Sequence, residues 1–390
     1  MKNEKRAQHA SFKELVLSIR LRSVSFVKKN IVMVIALLLA IITCFFIPPS
    51  KEYLSYFDFK TLSCLFTTLA VICALKNIKF FYILARKIVS VFKTARISVL
   101  VLVYITFIGS MLLANDMALL TFLPLGFFVL SSTGKEKYMP FTFIMQNISA
   151  NLGGMITPFG NPQNLYLYSH FNINTIEFMG IMLPSFVLSV TLITVCCLVF
   201  VKSEPLEIKS EEVKLPLART IIYLLLFALS IIVIFRVIPY QIALVLVPLV
   251  ILFMDRRALL KVDYPLLLTF VFFFIFSGNM AKIPQVADFF SWLLGLNTLV
   301  FSTLSCQAIS NVPSAILLSQ FTSDYRSLLI GVNIGGVGTL ISSLASLITL
   351  REYLNHNPKG AKKYILLFSL FNFGFLIILL GFNLLWNLIF

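Results

Sequence analysis

Two short patterns in this chain carry side chains suited to holding ions, and each pattern occurs twice. ANLGGMITPFGNPQNL over residues 150–165 aligns without a gap on VNIGGVGTLISSLASL over 332–347. Asn151 falls on Asn333, Gly153 and Gly154 on Gly335 and Gly336, and Thr157 on Thr339. Ahead of each copy stands a second recurring element, LLANDMALLTF around Asn115 and AISNVPSAILL around Asn311. An Asn side chain offers N–H donors to an anion and a carbonyl oxygen to a cation. Asn115, Asn311, Ser310, Thr157 and Thr339 are therefore candidates for contacting a small anionic solute. Pro158, Gly160 and Pro162 forbid a regular helix through the first copy. Carbonyls freed there, with Thr157 and Asn161, would make an oxygen-rich site for a hard cation such as sodium.

The second copy offers Thr339, Ser342, Ser343 and Ser346 for the same work. Candidates for the coupling cation are thus Asp116, Asn151, Gly153, Gly154, Asn161, Asn333, Gly335, Gly336 and Ser342. Asp116 is the only charged residue between Arg96 and Lys135. A carboxylate at membrane depth is costly and points to an ion or proton carrier. The bland alternatives are helix caps for the asparagines and close helix packing for the glycines. Recurrence in both halves argues against them. No nucleophile–base pair or metal-ligand cluster supports an enzyme, and no GxxxxGK[ST] loop supports an ATP-driven pump. No cofactor is expected beyond sodium or a proton as coupling ion.

The elements that must position these residues are membrane helices. The chain is 59% hydrophobic and 12% charged, about half the charged fraction of an ordinary soluble domain. Apolar runs at 31–47, 179–201 and 221–235 approach or exceed the length of a bilayer crossing. The net charge of +16 sits in loops and tails, as cytoplasmic flanks require, and implies a lipid bilayer rather than nucleic acid. The six cysteines lie in apolar context and read as packing residues.

The basic segment 1–30 sets the N-terminus in the cytoplasm of a plasma (inner) membrane protein, and part of it could lie on the membrane surface. Tracing the chain by its charges gives an all-α polytopic protein of about nine full spans plus two re-entrant hairpins. One repeat covers 31–201, with a hairpin at 97–131 and a broken helix at 139–170. A cytoplasmic loop and connecting helix follow at 202–238. The second repeat covers 239–390, with a hairpin at 290–323 and a broken helix at 327–349. The hairpins enter from opposite sides, so the repeats have inverted topology, a common plan for secondary transporters with midplane sites.

At NDMALLTFLPL, NLGGMITPFGNPQNL, SNVPSAILL and NIGGVGTLISS the chain resembles the ion transporter superfamily of divalent anion/sodium symporters, citrate transporters and arsenite permeases. That resemblance implies two sodium-type sites, elevator movement of a transport domain and a homodimer. Divalent anion symporters of this group carry Ser-Asn-Thr at both tips. Here the tips read Ala114-Asn115-Asp116 and Ser310-Asn311-Val312, and an Asn-Asp tip is more similar to the arsenite permease and sodium/proton antiporter branches. The expected activity is cation-coupled transport of a small anion, a di- or tricarboxylate. The alternative is arsenite export or sodium/proton antiport with Asp116 as the coupling carboxylate.

Overall fold

Inside a bilayer a backbone must satisfy its own N–H and C=O groups, and apolar runs of this length do so as helices. A computed structural model describes residues 30–89, 91–206 and 215–389. All but the last residue of the basic segment 1–30, and the middle of the central loop, lie outside the described residues. Among the described residues the regular structure is helical, and a single isolated bridge joins Thr94 to Pro205. Eight helices among the described residues are long and apolar enough to cross a membrane.

The chain forms two compact units. In one, α1 (Ile31–Phe46) packs on a later helix, Tyr264–Ala281. Asn279 Nδ2 donates to Thr43 Oγ1 at 3.2 Å and to the Tyr53 hydroxyl at 2.9 Å. Gly278 leaves room for the ring of Tyr56.

The other unit holds the remaining helices. It opens with α2 (Phe59–Asn77), capped by Asp58, and the short amphipathic α3 (Phe80–Val89). Next come α4 (Ala95–Leu112) and α5 (Asn115–Ser132), joined by a two-residue link. Then follow α6 (Met139–Gly153), a tight turn over Gly154–Ile156, and α7 (Pro162–His170). The chain continues through α8 (Thr175–Phe200), α9 (Leu217–Ile234) and α10 (Tyr240–Leu260), and α11 is the Tyr264–Ala281 helix of the first unit. Beyond it are α12 (Pro284–Ile309), α13 (Asn311–Leu318), α14 (Tyr325–Ile334), α15 (Leu344–His356) and α16 (Ala361–Ile389).

Breaks fall at the polar motifs: α4 gives way to α5 at Asn115, α6 to α7 across 154–161, α12 to α13 at Ser310, and α14 to α15 across 335–343. Each arm of the first hairpin has 18 residues, roughly 27 Å of helix. The second hairpin differs. Its first arm, α12, is interrupted at Asn297 (φ −168°, ψ 99°), whose Oδ1 accepts the Val300 N–H at 2.9 Å and starts a new helix. Its return, α13, spans only eight residues. α10 is also kinked, at Asp255, whose carboxylate accepts from the Asn77 amide at 2.7 Å.

Candidate functional site

Asn115 and Asn311 begin α5 and α13, and both are buried. Each folds its side chain onto its own helix, Asn115 Oδ1 accepting from Asp116 N–H and Asn311 Oδ1 from Val312 N–H, both at 2.9 Å. That is the capping role. Asn115 does more, since its Nδ2 donates to Asn151 Oδ1 at 3.1 Å. The hairpin tip is thereby tied to the end of α6.

The two copies of the glycine motif are held to their hairpins by matching bonds. Thr157 Oγ1 donates to Met111 O at 2.9 Å, and Thr339 Oγ1 to Gln307 O at 3.0 Å. Gly153 and Gly335 are contact points: a Cβ on Gly153 would strike Phe107 O and Ser110, and one on Gly335 would lie 2.9 Å from Cys306 Sγ. Gly154 faces the break, where a Cβ would lie 2.5 Å from Asn161 Oδ1 and 2.8 Å from Gly160 O. Gly336 stands between the second tip and the end of α6. Its Cβ would be 3.1 Å from Asn311 Nδ2 and 3.3 Å from Asn151 Oδ1.

Across the junction the copies meet through amides. Asn161 Nδ2 donates to Asn151 O (3.1 Å) and Asn333 Oδ1 (3.3 Å), and Asn333 Nδ2 donates to Asn164 Oδ1 (2.6 Å). On the other side Asn147 Nδ2 reaches Ser346 Oγ at 3.3 Å and Asn372 Oδ1 at 3.4 Å. Thus α7 of the first copy holds α14 of the second, while α15 of the second holds α6 of the first. Asn151, Asn161, Gln163, Asn333, Ser342 and Ser346 are all at most 1% exposed. Among the described residues no Lys, Arg or His side chain bonds into this cluster.

Two oxygens at the first break, Asn161 Oδ1 and Gln163 Oε1, are buried without a donor. Buried acceptors are ordinarily paired; Asn161 Oδ1 lies with Gly160 O against Gly154, and unpaired oxygens of this kind suit a hard cation. The tips are unequal as anion sites. In α13 the Asn311 N–H goes to Ser342 O (2.9 Å), Val312 N–H to Asn311 Oδ1, Pro313 has none, and Ser314 N–H goes to Ser310 O (3.1 Å). In α5, among the described residues, the N–H groups of Asn115 and Met117 meet no protein acceptor. The sequence suggested equivalent tips; the second has its donors taken by its own turn and by Ser342 O. Ser342 contributes through backbone and hydroxyl alike, its Oγ donating to Gly336 O (3.0 Å) and Thr339 O (2.8 Å). Ser310 sits at φ 75°, ψ 158°, a conformation that strains a residue with a Cβ, and its Oγ donates to Ser342 O at 3.3 Å. Asp116 lies in the first turn of α5, half-buried.

Several residues that hold the site were not among the candidates, although Asn164 stands inside the first motif. Asn164 Nδ2 holds Gly154 O, Met155 O and Thr157 O at 3.1–3.3 Å. Gln307 Nε2 holds Gly335 O (2.9 Å) and Val337 O (3.2 Å), while its Oε1 accepts from Thr339 N–H (2.9 Å). Asn147, one turn before Asn151, was the one with a usable signal: a second amide on the same helix face. A polar cavity of about 490 Å³ lies away from this junction, lined by residues 294–299 and 321–324 among others.

In the loop after α8, Glu204 gathers Lys135 (2.9 Å), Lys137 (2.6 Å) and the Tyr138 hydroxyl (3.0 Å). Those bonds hold its carboxyl down at about 2. Its backbone O accepts the Ala95 N–H at 2.8 Å. One loop residue therefore straps both feet of the first hairpin.

Comparison with known proteins agrees with this architecture. A citrate transporter family model matches residues 15–324. A Methanocaldococcus jannaschii protein described as an uncharacterized transporter is 33% identical over 301 residues, covering 75% of this chain and 81% of that protein. The inner membrane protein YbiR of Escherichia coli is 27% identical over 325 residues, 79% of this chain and 83% of its own length. With that family model spanning most of its length, the chain belongs to the citrate transporter family and is a multi-pass membrane transporter.

Proposed function

We propose that the protein is a secondary-active, sodium-coupled transporter of a small di- or tricarboxylate, working by elevator-type alternating access. Its halves act as inverted repeats whose tips and breaks meet in one ion-binding junction. The observation that carries this reading is the pair of unpaired buried oxygens, Asn161 Oδ1 and Gln163 Oε1, beside a hairpin tip that keeps free N–H donors. A cation at the oxygens and an anion at the N-terminus of α5 would neutralise one another, and the cation would also offset the Asp116 carboxylate in the first turn of that helix. The N-terminus would be cytoplasmic, in the inner membrane, and the protein a homodimer.

The test is thermal stabilisation of purified protein by citrate, succinate, malate, sulfate and arsenite, each in sodium and in potassium. A ligand stabilises only if it prefers the folded state. Stabilisation by a carboxylate that requires sodium is the expected result. A second reading, sodium/proton antiport or arsenite export, draws on Asp116 one residue from the buried Asn115. It expects stabilisation by sodium alone that varies with pH, or by arsenite, and loss of that response in Asp116→Asn. Indifference to every anion would overturn carboxylate transport.

A further inference from the structure

A carboxylate cargo calls for positive charge, and among the described residues no Lys, Arg or His side chain bonds into the buried junction. Cations stand instead around the outer half of the first broken helix. Arg236 follows α9 in a left-handed conformation (φ 65°). Its guanidinium lies over the Tyr168 ring, 4.2 Å from the centroid, and Nη2 donates to Tyr168 O at 2.6 Å. The Nε–H is buried and meets no acceptor. For a charged donor that is an expensive omission unless something else fills it. Phe235, its neighbour, packs edge-on against Phe159 at 5.8 Å, and Phe159 stands in the unwound link before α7.

Lys60, in the first turn of α2, lies within electrostatic reach of Arg236, and α2 packs on α7. Asp58 is the carboxylate that also reaches Lys60. It uses one oxygen on the Thr61 N–H (2.9 Å) and the other on the Thr61 hydroxyl (2.5 Å). Among the described residues no ion pair joins Lys60 or Arg236 to an acid. Arg326 makes the contrast: it is matched by Glu177 at 2.8 Å.

We propose that Arg236 and Lys60 form a peripheral anion site that takes one carboxylate group of a di- or tricarboxylate beside the break between α6 and α7. Stacking on Tyr168 holds the planar fork in place, so its free Nε–H edge is set for a charge-assisted bond, and Lys60 adds a point charge. A site of this kind gathers anions from solution and raises their encounter rate with the junction. It rests on the reading that the cargo is anionic.

The experiment uses the full-length protein in proteoliposomes, with sodium-driven uptake of citrate and succinate in wild type, Arg236→Gln, Arg236→Lys and Lys60→Gln. The expected result is a half-saturation constant raised about tenfold in each Gln variant, the scale of one lost charge-assisted bond. Maximal rate and sodium activation should stay near wild type, and the salt dependence of half-saturation should flatten. Arg236→Lys should recover only part of the affinity. Lys60→Gln keeps the proposal testable if Arg236 proves necessary for folding. Unchanged half-saturation in both Gln variants, with a wild type that carries anions, would overturn the peripheral site and spare the transporter reading. A lower maximal rate at unchanged half-saturation would overturn it too, leaving the Arg236–Tyr168 contact a structural tie. A wild type that neither carries nor is stabilised by any carboxylate would remove the anion reading and this site together.

Discussion

At the scale of single residues the junction is an amide lattice with little slack, and glycines show where the slack ends. Gly154→Ala would drive a Cβ into Asn161 Oδ1 and the Gly160 backbone. Overpacking of that kind costs about 1–3 kcal/mol, and a lower melting temperature with loss of sodium-dependent stabilisation is expected in a thermal-shift assay. Gly374→Ala, with nothing within 4 Å of its Cβ, should leave both unchanged or slightly raise stability. Asn164→Ala strips the amide from three carbonyls and one of two acceptors from Asn333 Nδ2. Unsatisfied buried groups cost roughly 1–3 kcal/mol each, so denaturation should come at clearly lower temperature even without ligand. The paired asparagines and threonines were legible because they repeat. Asn164 and Gln307 were not, since Met155 O and Val337 O are equivalent carbonyls held by different residue types from different elements.

At the scale of elements, each hairpin is fastened by a threonine near its tip, and the first also by Glu204 at its feet. Thr157→Val and Thr339→Val remove equivalent bonds of 2.9 and 3.0 Å. Each should cost about 1 kcal/mol, and similar shifts in melting temperature would show the two fastenings to be equivalent. Glu204 carries a pH signature. Its carboxyl is held at about 2, below its ordinary 4.5. A depressed acid stabilises the fold fully above its ordinary value and loses that contribution as pH falls toward the depressed one. Wild type minus Glu204→Gln should thus give a constant stability difference from pH 6 to 8 that shrinks below roughly pH 4.5. A difference that grew toward acid would contradict the strap. Apolar run length announced most helices, and Pro158, Gly160 and Pro162 announced one break. The interruptions at Asp255 and Asn297 left no such mark: each breaks its helix at one polar residue that an apolar average does not record.

At the scale of the whole molecule, the proposed cytoplasmic N-terminus puts the loop at 319–324 outside and the loop at 357–360 inside. Impermeant maleimide applied to intact cells should label Ser323→Cys and spare Lys359→Cys in a cysteine-free background, both positions being exposed. The reverse pattern would invert the assigned orientation. Class and activity type were legible from composition and from the doubled motif, but the partnership of α1 with α11 was not, because nothing local in either helix names so distant a mate. The crossed grip at the junction, Asn164 on Asn333 and Asn147 on Ser346, also bears on how the polypeptide can be divided. A gene cut between codons 206 and 215 would yield two fragments, each holding the other's missing handhold. Expressed singly they should be degraded, and expressed together they should reassemble into an active carrier, so that fission of the chain is tolerated only as complementation.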